Sequence, residues 1–151
     1  MAKDSIQCYI LTGEAMRKEP PRFFKTRAFT KLAARAEISD EVLLKAAADL
    51  LEGKGDNLGG NVWKKRLNKN MHRSIVVEKA GDWWIFVFMY AKKDRDNLDQ
   101  AEERAFKLLA KQYERMTSAQ LDDQIAKKEL LEIVGHDHYT PIQKRCFRSH
   151  P

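Results

Sequence analysis

The chain has 151 residues, 43% hydrophobic and 33% charged, with only seven glycines and four prolines. That composition fits one globular domain with a charged surface, excludes a collagen-like or disordered chain, and leaves no room for two ordinary cores. The net charge is +6, and residues 61 to 95 alone carry nine Lys or Arg against three Asp or Glu, a surplus equal to the whole. A positive field clustered in this way points to an anionic partner, either nucleic acid or an acidic protein.

The longest apolar run, Trp83 to Met89, is seven residues, far below the roughly 18 of a membrane-spanning helix. The amino terminus carries Asp4 early and lacks the apolar stretch of a secretory signal, so a cytoplasmic address is expected. Cys8 and Cys146 lie near opposite ends with no CxxC spacing, which argues for free thiols and against a disulfide framework or zinc module.

Residues 1 to 21 have no sustained period and end in Pro20-Pro21, so they read as an irregular extension. Arg22 to Thr26 is the first expected strand, and Phe29, Leu32, Ala33 and Ala36 then recur at helical spacing. Ser39, followed by Asp40 and Glu41, caps a second helix that buries Leu43, Ala46, Ala47, Leu50 and Leu51 and stops at Gly53. Lys54 to Gly60, with three glycines, is expected to be a loop.

The period then becomes strand-like in Val62 to Leu67, Arg73 to Val77 and Trp83 to Met89, a pattern that predicts an antiparallel meander. The last run is apolar without alternation, as in a central strand covered on both faces. Asn97 with Gln100 resembles a capping box, opening a long helix with Leu98, Ala101, Ala105, Leu108, Leu109, Gln112, Tyr113 and Met116 as its apolar stripe. Thr117 with Gln120 repeats the cap for a short helix burying Leu121 and Ile125, and Leu130 to Val134 suggests a last short strand. Residues 135 to 151 are polar and mixed, and a mobile tail is expected. The pattern predicts an α+β domain over 22 to 134. An N-terminal helical hairpin packs on one side of a twisted antiparallel sheet, basic residues gather at its open face, and further helices follow.

Lys64, Lys65, Arg66, Lys69 and Arg73 fall on two successive strands and their turn. In a strand, Lys64 and Arg66 share one face while Trp63, Lys65 and Leu67 share the other. Lys65 must therefore snorkel or pair with an acid. Tyr90, Lys92, Lys93 and Arg95 follow the central strand and converge with the sheet end. Cations gathered around a tyrosine suit a phosphodiester: arginine supplies forked donors, and a lysine among other cations tends toward acid or base use. His72 beside Arg73 is read as a solvated turn histidine. His136, His138, Cys146 and His150 match no closed zinc spacing, and Asp96, Asp99, Glu102 and Glu103 occupy a helix start, where acids are favoured by the dipole. No metal site is expected, and no glycine-rich phosphate loop, GxSxG elbow or HExxH helix occurs.

The element order, with Phe24-Lys25-Thr26-Arg27-Ala28-Phe29, Leu58-Gly59-Gly60 running into Lys64-Lys65-Arg66, and Tyr90-Ala91-Lys92-Lys93-Asp94-Arg95-Asp96-Asn97, resembles the RelE/ParE superfamily of toxins over about residues 22 to 134. The last segment is most similar to the RelE-like branch. The resemblance implies the toxin of a type II toxin-antitoxin module that inhibits translation by cutting messenger RNA on the ribosome, with no metal or other cofactor. Carried over residue by residue, it implies Lys64 and Arg66 as the paired basic residues, Arg73 as the strand arginine and Lys93 in place of the arginine after the last strand. Lys64 or Tyr90 is then the candidate base, Lys93 or Arg95 the candidate acid, and Lys65, Lys69, Lys92 and Arg95 the RNA contacts. The family's catalytic tyrosine would fall near Asp99. Such a toxin begins shortly before its first strand, so Met16 is the expected physiological start. The implied partners are an antitoxin from the adjacent gene, the ribosome and messenger RNA, with DNA met only through the antitoxin and no membrane. The rival readings are a gyrase-poisoning toxin without nuclease activity and a non-catalytic basic module that retains the fold.

Overall fold

The structure, a computed structural model, describes residues 20–134. Most of the expected irregular extension and all of the expected tail lie outside these residues. Arg22–Thr26 forms β1. Phe23 and Phe24 are consecutive, so they point to opposite faces, and each is buried in a different core. The Thr26 side chain accepts the Phe29 N–H and caps α1, Arg27–Ala36, which ends at Glu37 in the left-handed region (φ 58°). Ser39 caps α2, Asp40–Leu51, as expected; Leu51, assigned to its buried face, is instead exposed.

Four strands follow where three were expected: β2 (Asp56–Gly59), β3 (Val62–Leu67), β4 (His72–Lys79) and β5 (Trp83–Ala91). The segment read as a loop holds β2, an edge strand with little buried side chain, paired to β3 by its backbone across a turn in which Gly59, Gly60 and Asn61 all have positive φ. Then come α3 (Gln100–Arg115), α4 (Ser118–Ala126) and β6 (Leu130–Glu132). The sheet has six strands in the order β2-β3-β4-β5-β1-β6. It is mixed and not antiparallel throughout, because β1 lies parallel to β5. Burial accounts for their adjacency, since both are apolar on both faces, and the direction is open to either sense because no hairpin joins them.

One core lies under α1 and α2, where Phe29, Ala33, Leu43, Ala46, Ala47 and Leu50 meet Phe23, Val76, Trp84 and Phe86; α1 packs against β5 and α2 against β3. The opposite face is covered rather than open. There α3 and α4 bring Ala110, Tyr113 and Leu121 onto Phe24, Val62, Ile75, Val77 and Ile85. The apolar stripe of α3 is Phe106, Leu109, Ala110, Tyr113 and Met116, so the expected Ala101, Ala105, Leu108 and Gln112 face outward. The α3 cap also lies two residues later than expected: Asp99 and Glu102 form the capping box. Thr117 and Gln120 cap α4 as read.

Burial of Tyr113, with a smaller push from the charge of Glu129, raises its phenol from 10.0 to about 12. The folded value lies above the unfolded one, so this contribution is complete below about pH 10 and is lost as pH rises through about 12. Its size is on the order of 2 kcal/mol. Unfolding free energy from denaturant titrations should therefore fall more steeply over this window for the wild type than for Tyr113→Phe; parallel curves would contradict the assignment.

Candidate nucleic-acid interface

Three neighbouring strands carry the site. Arg66 of β3 stands opposite Arg73 of β4, and Arg73 opposite Tyr90 of β5, forming one row across the sheet. The next row is Lys64, Ile75 and Phe88. Both rows lie on the face that α3 covers. Tyr90 reaches this face only through a β-bulge: the register shifts so that Ile75 faces Phe88 while Val76 faces Phe86, leaving Val87 extra. Without that residue, Phe86, Phe88 and Tyr90 would alternate onto the α1 and α2 side. The bulge re-aims the last four residues of β5, a use bulges often serve. Nothing in the residue types of β5 marks it.

The α3 helix starts only at Gln100 and stacks Phe106 on Phe88 (5.7 Å between ring centroids), so it roofs the second row and leaves Arg66 exposed. Arg73 and Tyr90 lie deeper and are buried. Arg73 Nη1 donates to the carbonyls of Asn70 (3.0 Å) and His72 (3.3 Å), which fixes the guanidinium without neutralising it. Asn70 closes a turn in which Asn68, Lys69 and Asn70 are all left-handed (φ 55°, 53° and 73°). Asparagine tolerates this region; lysine does so much less readily. Lys69 is therefore held at the tip of the β3–β4 hairpin, and the His72 ring nitrogen lies 3.2 Å from the Asn68 side chain. The Lys92 N–H donates to the Met71 carbonyl (3.0 Å), bringing the exposed Lys92 and Lys93 to the same end of the sheet.

Among the described residues, Arg66, Lys69, Arg73, Lys92 and Lys93 pair with no acid. Lys64 donates to Asn97 Oδ1 (3.2 Å) and lies 4.0 Å from Asp56. Arg95 rests on the Tyr90 ring (5.1 Å to its centroid) and is ion-paired with Glu102. The hydrogen bond from Arg95, seconded by the Asp99 N–H, holds the Glu102 carboxyl below its usual range. Burial raises the Tyr90 phenol, against an opposite pull from Arg73 and Arg95. Its hydroxyl is buried with no hydrogen-bond partner among the described residues.

Lys65 does not join this group. It points to the other face and forms an ion pair with Asp49 of α2 (3.1 Å), depressing the Asp49 carboxyl by that hydrogen bond. The pairing resolves the misfit of a lysine on an apolar face and ties α2 to β3. Sequence reasoning missed Asn97, which holds Lys64, and Glu102, which holds Arg95. The Asp99-x-x-Glu102 spacing was the available signal, a capping box overlapping the Asn97-x-x-Gln100 pattern. His136, His138, Cys146 and His150 lie outside the described residues.

The family model for the RelE toxin of RelE / RelB toxin-antitoxin systems matches residues 21–133. No curated protein matches the chain at a significant level.

Like charges placed directly opposite on neighbouring strands destabilise a sheet by roughly 0.2–1 kcal/mol, so the Arg66–Arg73 pair is a cost in the ligand-free protein. Arg66→Thr should raise the melting temperature by a few degrees at low salt, with the gain shrinking as ionic strength screens the wild-type repulsion. A lower melting temperature at low salt would show that Arg66 contributes packing that outweighs the repulsion.

Proposed function

Because the chain belongs to the RelE toxin family, we propose that it inhibits translation by cutting messenger RNA within the ribosome. The observation that carries this reading is the Arg66–Arg73–Tyr90 row, in which two arginines stand beside a buried hydroxyl, none of the three having an acidic or hydrogen-bonding side-chain partner among the described residues. An unmatched positive row at a sheet end suits a backbone phosphate. Neutral carbonyl partners leave Arg73 its full charge while fixing its place, and such preorganisation favours charge that develops in a transition state.

RNA carries its own nucleophile. The 2′-hydroxyl attacks the adjacent phosphorus, the bond to the 5′-oxygen breaks, and the products are a 2′,3′-cyclic phosphate and a 5′-hydroxyl. Arg73 stabilises the phosphoryl oxygens, and Lys64 and Arg66 grip the backbone. Of the two candidate bases, Tyr90 fits poorly, because burial favours its neutral phenol. It serves as a hydrogen-bond donor, which leaves Lys64 to remove the 2′ proton. Lys93 returns a proton to the leaving oxygen, with Arg95 the second choice. Lys69 and Lys92 extend the phosphate track; Lys65, held by Asp49, does not.

The partner of such a toxin is an antitoxin from the adjacent gene, and its acidic side chains would meet the same positive surface. Contact with operator DNA would come through the antitoxin. Among the described residues no helix is long and apolar enough to cross a membrane, and the site of action is the cytoplasm, where ribosomes are.

Purified protein added to ribosomes programmed with a defined message should yield cuts within translated codons that end in 2′,3′-cyclic phosphate, and a 2′-deoxy residue at the scissile position should block them. Arg66→Ala and Arg73→Ala should each slow cleavage by about 10²-fold to 10³-fold, with circular dichroism confirming the fold. Lys127→Ala, at an exposed side chain that pairs with Asp123 of α4 and lies outside the row, should cleave at the wild-type rate. Unchanged cleavage by folded Arg73→Ala overturns the assignment of that residue. DNA damage on induction without RNA cuts overturns the nuclease reading.

A further inference from the structure

Glu102 is an acid in an unusual place. It lies one helical turn before Phe106, on the side of α3 that docks onto the sheet, where an apolar residue would continue the stripe. Its carboxylate is held by the helix itself: Oε1 accepts the Asp99 N–H (3.0 Å), while the Glu102 N–H donates to Asp99 Oδ1 (2.8 Å). The same Oε1 receives Arg95 Nη2, and Arg95 Nε donates to the Asn97 carbonyl (3.4 Å). Two of the five guanidinium N–H groups are thus assigned and three remain for a ligand. The guanidinium lies over the ring of Tyr90, whose hydroxyl is buried and without a partner among the described residues.

We infer that Glu102 is a positioning residue for RNA cleavage: anchored by the α3 cap, it fixes Arg95 on the Tyr90 ring and presents the remaining guanidinium donors beside the Arg66–Arg73–Tyr90 row. This inference rests on the nuclease reading above. A mobile arginine loses side-chain entropy each time it meets a phosphate, whereas one clamped to a helix N-terminus has already lost it. The carboxylate opposes RNA binding through its charge and favours turnover through geometry, so its two effects have opposite signs. Its neighbour Glu103 supplies the contrast: an acid of the same helix turn whose carboxylate pairs with Lys107 (3.0 Å) and not with Arg95.

Glu102→Gln keeps an acceptor for the Asp99 N–H, and with it the cap, while removing the charge that holds Arg95. On programmed ribosomes this variant should lose about tenfold to hundredfold in kcat, with half-saturation unchanged or tighter. Glu103→Gln should retain the wild-type kcat. In an Arg95→Ala background, Glu102→Gln should cause no further loss. The Arg95 Nε–H resonance, assigned by its disappearance in Arg95→Lys, should move from its ring-shifted position toward that of a free arginine in Glu102→Gln. A kcat within twofold of wild type, an unmoved resonance, or a full additional loss in the Arg95→Ala background each overturns the inference. A wild-type protein that cuts no RNA overturns the nuclease reading instead; the resonance then decides whether Glu102 fixes Arg95.

Discussion

Ile85 and Phe86 are consecutive residues of β5, they point to opposite faces, and neither retains exposed surface. A strand apolar on both sides must be covered on both sides, so this pair requires a helical layer above and another below. It also requires neighbours on both edges that are themselves two-faced, a condition that β4, with Val76 and Val77, and β1, with Phe23 and Phe24, fulfil. The adjacency of β1 and β5, the central place of β5 and the docking of α3 and α4 opposite α1 and α2 follow from this single burial requirement.

The site exists where that coverage ends. Helix α3 begins only after the loop that follows β5, and its first aromatic contact with the sheet is Phe106 on Phe88. Beyond that contact the same face of the sheet runs on by one row that α3 does not reach, and the bulge at Val87 brings Tyr90 into it beside Arg66 and Arg73. Polar groups can occupy such a position because water reaches them from one side, while the sheet beneath still fixes their backbone. Lys64, Arg66 and Arg73 thus sit on rigid strands, while Lys69, Lys92, Lys93 and Arg95 come from turns and loops beside them.

Local chemistry was legible in the sequence and pairing over long distances was not. Thr117 with Gln120 and Ser39 with its following acids marked helix starts because a cap is decided within four residues. The strand β3 was bounded correctly, and its alternation separated Lys64 and Arg66 from Lys65. The edge strand β2 was not legible, since it is held by backbone hydrogen bonds that leave no side-chain period. Along α3 the adjacent Leu108 and Leu109 fit two different stripes, and only docking on the sheet shows that Leu109 faces inward. The basic cluster was readable as a composition anomaly, whereas Asn97 and Glu102, polar residues that act by holding others, carried no compositional signal.

Asp99 shows how the fold shapes the evolution of this surface. The residue standing where the RelE resemblance expects a tyrosine is the N-cap of α3, and its carboxylate accepts the Glu102 N–H while its own N–H anchors the Glu102 side chain. A tyrosine at 99 would give up a cap worth about 1 kcal/mol and loosen Glu102, and Arg95 with it. Substitutions at 95, 99 and 102 are therefore epistatic, since the value of each depends on the residues already present at the other two. An exchange tolerated in one mutational order is deleterious in another, so relatives built on this cap will tend to vary at the three positions together, and importing the family tyrosine into this background means rebuilding the start of the helix as well.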